Sequence, residues 1–186
     1  MLTLALLLAL ALGWCAGGRL ARFEGACLRF LPLPPLALVL QALPARLSPQ
    51  TYDGWGWLLI PASYLLLLLF LLGNRHLKKT ALLLGTGSFC NLLVIALNSW
   101  RMPVSPSAAS LLSAEGLAAL ASGQIPMYAL AGSETRLLLL GDIFYCPIPL
   151  FRGFASVGDF LLAAGVFLCL MAVMAPPRLP SWLRSG

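Results

Sequence analysis

WGWLLIPASYLLLLLFLLGNRHLKK, residues 55–79, decides what kind of protein this is. Leu65 to Leu69 are unbroken leucine, and Trp55, Trp57 and Tyr64 lie toward the start of the block. Arg75, His76, Lys78 and Lys79 follow its end. An apolar run over 55–72, with aromatics at one end and bases beyond the other, has the length and flanks of a membrane-spanning helix.

Further apolar blocks lie at about 1–16, 27–43, 80–100 and 157–175. Over 186 residues, 60% are apolar and 10% are charged, and the mean hydropathy is +0.92. Six acids and twelve bases cannot cover the surface of a soluble protein of this size. The bilayer is then the solvent, and helices follow because each satisfies its own backbone hydrogen bonds. The sequence predicts an all-α polytopic integral membrane helix bundle, a single membrane domain over 1–186 with about five spans.

Two blocks depart from the pattern of a plain span. Met1 to Ala16 resembles a signal peptide, but no Lys or Arg precedes it, so the basic leader segment is missing. Cys15 after Leu12-Gly13-Trp14 resembles a lipoprotein processing site. The bulk of Trp14 argues against cleavage there, and a retained first span is expected. Gly13 and Gly17 form a GxxxG step suited to packing against another helix. The block at 27–43 contains Pro32, Pro34 and Pro35, and reads either as a kinked span or as a re-entrant segment.

The net charge of +6 comes from bases scattered among apolar blocks, without the basic, aromatic-laced stripe of a nucleic-acid binder. Its role is topological. The Arg75–Lys79 cluster belongs in the cytoplasm by the positive-inside rule. Five spans then place Arg19, Arg22, Arg178 and Arg184 inside as well, and Arg46, Arg101, Arg136 and Arg152 outside. The expected location is the cytoplasmic membrane of a bacterium, with the amino terminus outside and the carboxy terminus in the cytoplasm. Residues 101–153, between spans four and five, form an extracytoplasmic segment. Within it Ser105 or Ser107 can cap a short helix ending near Gly123. Leu111, Leu112, Leu117 and Leu120 suit a helix lying on the membrane surface. Leu137 to Leu140 is too short to span and reads as a strand or a half-inserted segment.

Two acids stand among apolar residues. Asp142 follows Leu137–Leu140 and Gly141, and Asp159 opens the last block in Ser156-Val157-Gly158-Asp159. An acid at membrane depth is costly, turns toward the protein interior and marks a functional site by default. Each also has a plainer role: Asp159 as a helix cap, Asp142 as a turn residue after Gly141. Asn91 and Asn98 lie in the fourth block, where interhelical hydrogen bonding is the ordinary role. Their spacing of seven places both on one helix face.

Cys15, Cys27, Cys90, Cys146 and Cys169 form no CxxC or other metal-binding spacing, and His76 is the only histidine. Small apolar packing roles suit such cysteines, and a lone histidine cannot supply paired haem ligands. No metal and no cofactor is expected.

The run from Asn91 to Val104, with Leu140-Gly141-Asp142 and Ser156-Val157-Gly158-Asp159, looks like an uncharacterised bacterial membrane-protein family known only as a domain of unknown function. That likeness covers most of the chain and implies no activity. The carboxy-terminal half is also similar to lipoprotein signal peptidase, an intramembrane aspartyl enzyme. The likeness rests on Gly85 and Gly87 with Asn91, on Asp142, and on Asp159 with Gly165. It implies that Asp142 and Asp159 are catalytic. Val94 and Ile95 stand where that family has Asp and Arg, and Ser156 stands where it has Asn.

Two carboxylates a few ångströms apart cannot both ionise and share a proton, the more strongly in the low dielectric near a bilayer. Such a pair activates a water while protonating a scissile carbonyl. The expected function is an aspartate-dyad hydrolase acting on a lipid-linked or membrane-embedded substrate near the outer leaflet. Asp142 and Asp159 are its catalytic residues, with Asn91, Asn98 and Ser156 positioning the dyad or the substrate. The alternative is a non-catalytic scaffold or a subunit of a larger membrane complex. A small transporter is disfavoured by the few polar residues within the spans.

Overall fold

The computed structural model describes residues 2–20, 28–148 and 152–184. It is mostly helical, and three stretches are long and apolar enough to cross a membrane: Gly56–Gly73, Lys78–Leu97 and Val157–Met174. The first contains helix α4 (Leu59–Gly73), entered through a 3-10 turn at Gly56–Leu58. The others are α5 (Lys78–Leu97) and α8 (Val157–Met174).

The two remaining apolar helices are shorter. α1 (Leu2–Cys15) and α2 (Leu33–Ala42) rise about 21 Å and about 15 Å at 1.5 Å per residue. Pro34 and Pro35 lie in the first turn of α2, where their missing N–H groups have no helical partner to lose. They start a helix and do not kink one. A 3-10 turn at Leu43–Arg46 extends α2, and α3 (Pro49–Gly54) follows, capped by Ser48, whose Oγ accepts the Thr51 N–H.

The expectation of an all-α chain is corrected outside the long helices. A four-stranded sheet of order β2-β1-β3-β4 joins β1 (Met102–Val104), β2 (Tyr128–Leu130), β3 (Asp142–Cys146) and β4 (Gly153–Ser156). β1 runs parallel to β2 and β3, and β3 pairs antiparallel with β4 across an irregularity between Asp142 and Phe144. Strands of three to five residues carry too little period-2 pattern to be read. Pro103 in a central strand argues against one as well. Leu137–Leu140 is not a strand: Leu138–Leu140 is a 3-10 turn entered through Leu137 at φ 52°.

The expected single helix after Ser105 is two. α6 (Pro106–Ala109) is capped by Ser105 and α7 (Ala114–Ala121) by Ser113. Leu120, Ala108, Ala109 and Val104 bury one another, with Leu112 and Leu117 packed around them. The leucines expected on a membrane surface thus largely serve a small core beside the sheet, while Leu111 remains exposed.

α5 packs against α8 at close range because glycines line the seam. A Cβ on Gly87 would lie 2.7 Å from the Gly158 carbonyl oxygen, and one on Gly165 would lie 2.6 Å from Leu84 Cγ. The Gly13 step is used similarly: a Cβ there would meet Met174 Sδ at 2.5 Å, at the end of α8. α2 lies against α4. The sheet caps one end of these helices. The other end carries Arg29, Arg75, Lys78 and Lys79 with the short α9 (Ser181–Arg184), to whose Trp182 carbonyl Lys79 Nζ donates at 2.6 Å.

Candidate functional site

At the junction of the sheet and the helices lies a cavity of about 130 Å³. Asp142, the first residue of β3, and Asp159, in the first turn of α8, both line it. Asp142 is placed by pairing on both sides, with Val104 of β1 and Ser156 of β4. Its backbone carbonyl accepts the Ser105 N–H at 3.0 Å. It is therefore a strand residue and not the residue of a turn. Gly141 before it is required: a Cβ there would lie 2.6 Å from the Pro103 carbonyl oxygen.

Asp159 sits in a capping box. Ser156 Oγ accepts the Asp159 N–H at 3.0 Å, and Asp159 Oδ2 accepts the Ser156 N–H at 3.0 Å. Ser156, rather than Asp159, is the N-cap, and Asp159 is the reciprocal third residue. Asn91, on the facing surface of α5, completes the network. Its Nδ2 donates to Asp159 Oδ1 at 2.9 Å, and its Oδ1 accepts from the Ser156 hydroxyl at 2.8 Å. Ser156 is wholly buried, so it orients the other two side chains and does not face the cavity. Ser156→Ala removes the cap and the Asn91 partner together. It is expected to cost about 1 kcal/mol or more in helix stability, measurable as a lowered thermal midpoint in detergent.

The two carboxyl groups differ in environment. Asp159 receives hydrogen bonds on both oxygens, which suits a carboxylate. Asp142 is 3% exposed, and its Oδ1 has no hydrogen-bond partner among the described residues. Burial, and then the negative charge of Asp159, push the Asp142 pKa up to about 8. At neutral pH Asp142 thus holds its proton, in a cavity whose wall also carries the doubly hydrogen-bonded Asp159.

Three tyrosines reach the same cavity from separate elements: Tyr52 of α3, Tyr64 of α4 and Tyr128 of β2. Burial, followed by the charges of Asp142 and Asp159, raises the Tyr128 pKa well above its ordinary value, so its hydroxyl stays a donor. Trp100 forms part of the wall. Ser99 and Trp100 take the left-handed conformation at φ 54° and 61°, a costly state for non-glycine residues that surrounding contacts must hold. Those contacts are specific. The Tyr52 hydroxyl donates to the Trp100 carbonyl, Trp57 stacks on Trp100 at 5.0 Å, and Arg101 pairs with Asp53 at 2.7 Å.

Asn98 does not join this site. α5 ends at Leu97, and Asn98 departs from the helix at φ −120°, so the seven-residue spacing no longer holds it on the Asn91 face. Its side chain clamps a loop instead, donating to the Val94 and Arg136 carbonyls and accepting the Arg136 N–H at 2.9 Å. The structure thus brings together Asp142, Asp159, Asn91 and Ser156. The tyrosines and Trp100, which no local pattern marked, complete the cavity. Among the described residues no cluster of three or more His, Cys, Asp or Glu could hold a metal ion.

No curated protein and no solved structure matches this chain. A family model does match it over residues 26–171, a stretch that contains every residue of the cavity. The chain belongs to DUF5317, a family of unknown function.

Proposed function

We propose that this protein is an integral membrane hydrolase in which Asp142 and Asp159 form the catalytic pair. The observation that carries the reading is a buried Asp142, whose pKa burial raises, sharing one cavity with a hydrogen-bonded Asp159. In this chemistry the Asp159 carboxylate takes a proton from a water whose oxygen attacks the substrate carbonyl carbon. Asp142 gives its proton to the carbonyl oxygen; as the tetrahedral gem-diol collapses, Asp159 passes the proton it took to the leaving group and Asp142 recovers one from a gem-diol hydroxyl, which restores the pair. Tyr64 and Tyr128 supply further donors around the carbonyl. The cavity lies between the ends of the apolar helices and the sheet, which suits a substrate that is itself anchored in the bilayer.

The test compares cells lacking the gene with cells restored by wild type, Asp142→Asn or Asp159→Asn. Both variants are expected to reach the membrane in normal amount and to leave an uncleaved membrane-bound precursor that wild type removes, read by mass spectrometry of the membrane fraction. A second reading, a non-catalytic scaffold, is favoured by the Asn91–Ser156–Asp159 network, which already satisfies Asp159 as a helix cap. That reading requires both variants to restore the wild-type membrane composition.

The proposed topology has five spans, with α1 and α2 as short ones. In its support, the chain through α2 runs from Phe30, which packs beside Gly73, to Gln41 at the cavity, the same interval that α4 covers in reverse. α1 ends beside the end of α8, where the Arg19 N–H donates to the Met174 carbonyl at 3.1 Å. The basic end is assigned to the cytoplasm. On a cysteine-free background, a membrane-impermeant thiol reagent applied to intact cells is expected to label Glu134→Cys and to spare Lys78→Cys; the reverse would invert the topology.

A further inference from the structure

A second hollow, of about 330 Å³, opens at the opposite end of α4 from the carboxylate pair, walled by Arg29, Leu72, Gly73, Arg75 and His76. We infer that it binds a phosphate-bearing anion, as carried by the headgroup of an acidic phospholipid. The inference rests on the proposed membrane placement and is independent of whether the carboxylate pair is catalytic.

The hollow is constructed, and is more than a run of solvated bases. Asn74, 2% exposed, holds Arg29 by both sides of its backbone: Oδ1 accepts the Arg29 N–H and Nδ2 donates to the Arg29 carbonyl, each at 2.8 Å. The same Nδ2 is anchored to the Phe70 carbonyl at 2.8 Å. A buried side chain is thereby spent on fixing where one arginine leaves the chain. Arg75 is oriented by its Nε, which donates to the Leu72 carbonyl at 3.1 Å. Gly73 keeps the floor low, since a Cβ there would sit 2.6 Å from the Phe30 ring.

Charge points the same way. Among the described residues no acid lines the hollow, and neither Arg29 nor Arg75 is in an ion pair. Of the six acids, Asp53, Glu115, Glu134, Asp142 and Asp159 lie toward the sheet end, and Glu24 falls outside the described residues. Two planar guanidinium groups over an apolar floor match the oxygens of a phosphate, with Leu72 beside them suited to an acyl chain. Basic pockets between membrane helices on the cytoplasmic side have this chemistry.

The experiment uses the full chain, purified in mild detergent and offered phosphatidylglycerol, phosphatidylcholine or inorganic phosphate. Native mass spectrometry reads the lipid-bound fraction, and a thermal-shift assay reads stabilisation by either ligand. Wild type is expected to retain phosphatidylglycerol over phosphatidylcholine. R29Q/R75Q should lose that preference on the order of tenfold, while R46Q, at the sheet end, retains it. Stabilisation by phosphatidylglycerol but not by millimolar phosphate identifies the lipid as the source. Equal stabilisation by phosphate alone identifies a soluble anion and supports the site while removing the lipid. A double variant with normal folding and undiminished phosphatidylglycerol binding overturns the inference. Recovery of wild type in the soluble fraction would instead overturn the membrane placement on which it stands.

Discussion

Asp142→Asn is expected to abolish turnover, by on the order of 10²- to 10⁴-fold, the range that a positioned acid or base contributes. The protein should remain folded. The amide keeps the shape of a protonated carboxyl group, and Asp142 is protonated at neutral pH because its pKa lies near 8. The same property sets two pH dependences. On the proposed chemistry, wild-type activity is expected to fall as pH rises through about 8, where the acid that would donate to the carbonyl becomes ionised. Stability follows the linkage sign for a raised acid. Below the unfolded value of 3.8 both states carry the proton and nothing is lost. Between that value and about 8 the unfolded chain releases the proton while the folded one retains it, so the folded state loses stability as pH rises.

Asp142→Asn removes that titration. Its thermal midpoint is expected to decline less than that of wild type between pH 4 and pH 8, alongside its loss of activity. A purely structural Asp142 would show the flattened stability profile with activity intact. An inactive variant whose midpoint still tracks the wild-type decline would show that Asp142 is not the buried titrating group.

The long helices were legible because a single physical requirement, length of unbroken apolar chain, specifies them. Block 55–72 became Gly56–Gly73 and block 157–175 became Val157–Met174. Block 80–100 overshoots α5 by three residues, to Trp100, because nothing in Asn98-Ser99-Trp100 announces the left-handed turn that ends the helix. No Gly or Pro marks it; Tyr52, Trp57 and Asp53 hold it from a distant part of the chain. The sheet escaped for a related reason, since its strands are defined by each other and not by their own pattern.

The candidate site divides along the same line. Asp142 and Asp159 stood out because an acid amid apolar residues must be compensated. Asn91 followed from its place within a span. The cavity they share also needs Tyr52, Tyr64 and Tyr128, each an unremarkable aromatic where it stands, brought together only by folding. Asn98 shows the opposite failure: the residue type was suggestive, but its helix had ended one position earlier.

Gly158→Ala should produce the largest loss of stability for a single added methyl group. A Cβ at that position would lie 2.0 Å from Asn91 Oδ1 and 2.9 Å from the Gly87 carbonyl oxygen. The backbone neighbour can yield only if α5 and α8 separate. Asn91 can yield only by leaving Asp159 and Ser156, which takes two hydrogen bonds from a buried network. Overpacking of this kind costs about 1–3 kcal/mol, and each polar group left buried without its partner adds about 1–3 kcal/mol. The thermal midpoint in detergent should fall well below that of Gly54→Ala, where nothing lies within 4 Å of the added Cβ. The double variant Gly158→Ala, Asn91→Ala separates the two routes. If Asn91 is the group displaced, its removal relieves the side-chain clash and the second substitution costs less than its effect alone. If the helices are forced apart against the Gly87 carbonyl, the losses add, and the seam between α5 and α8 rather than the asparagine is what fixes Asp159 beside Asp142.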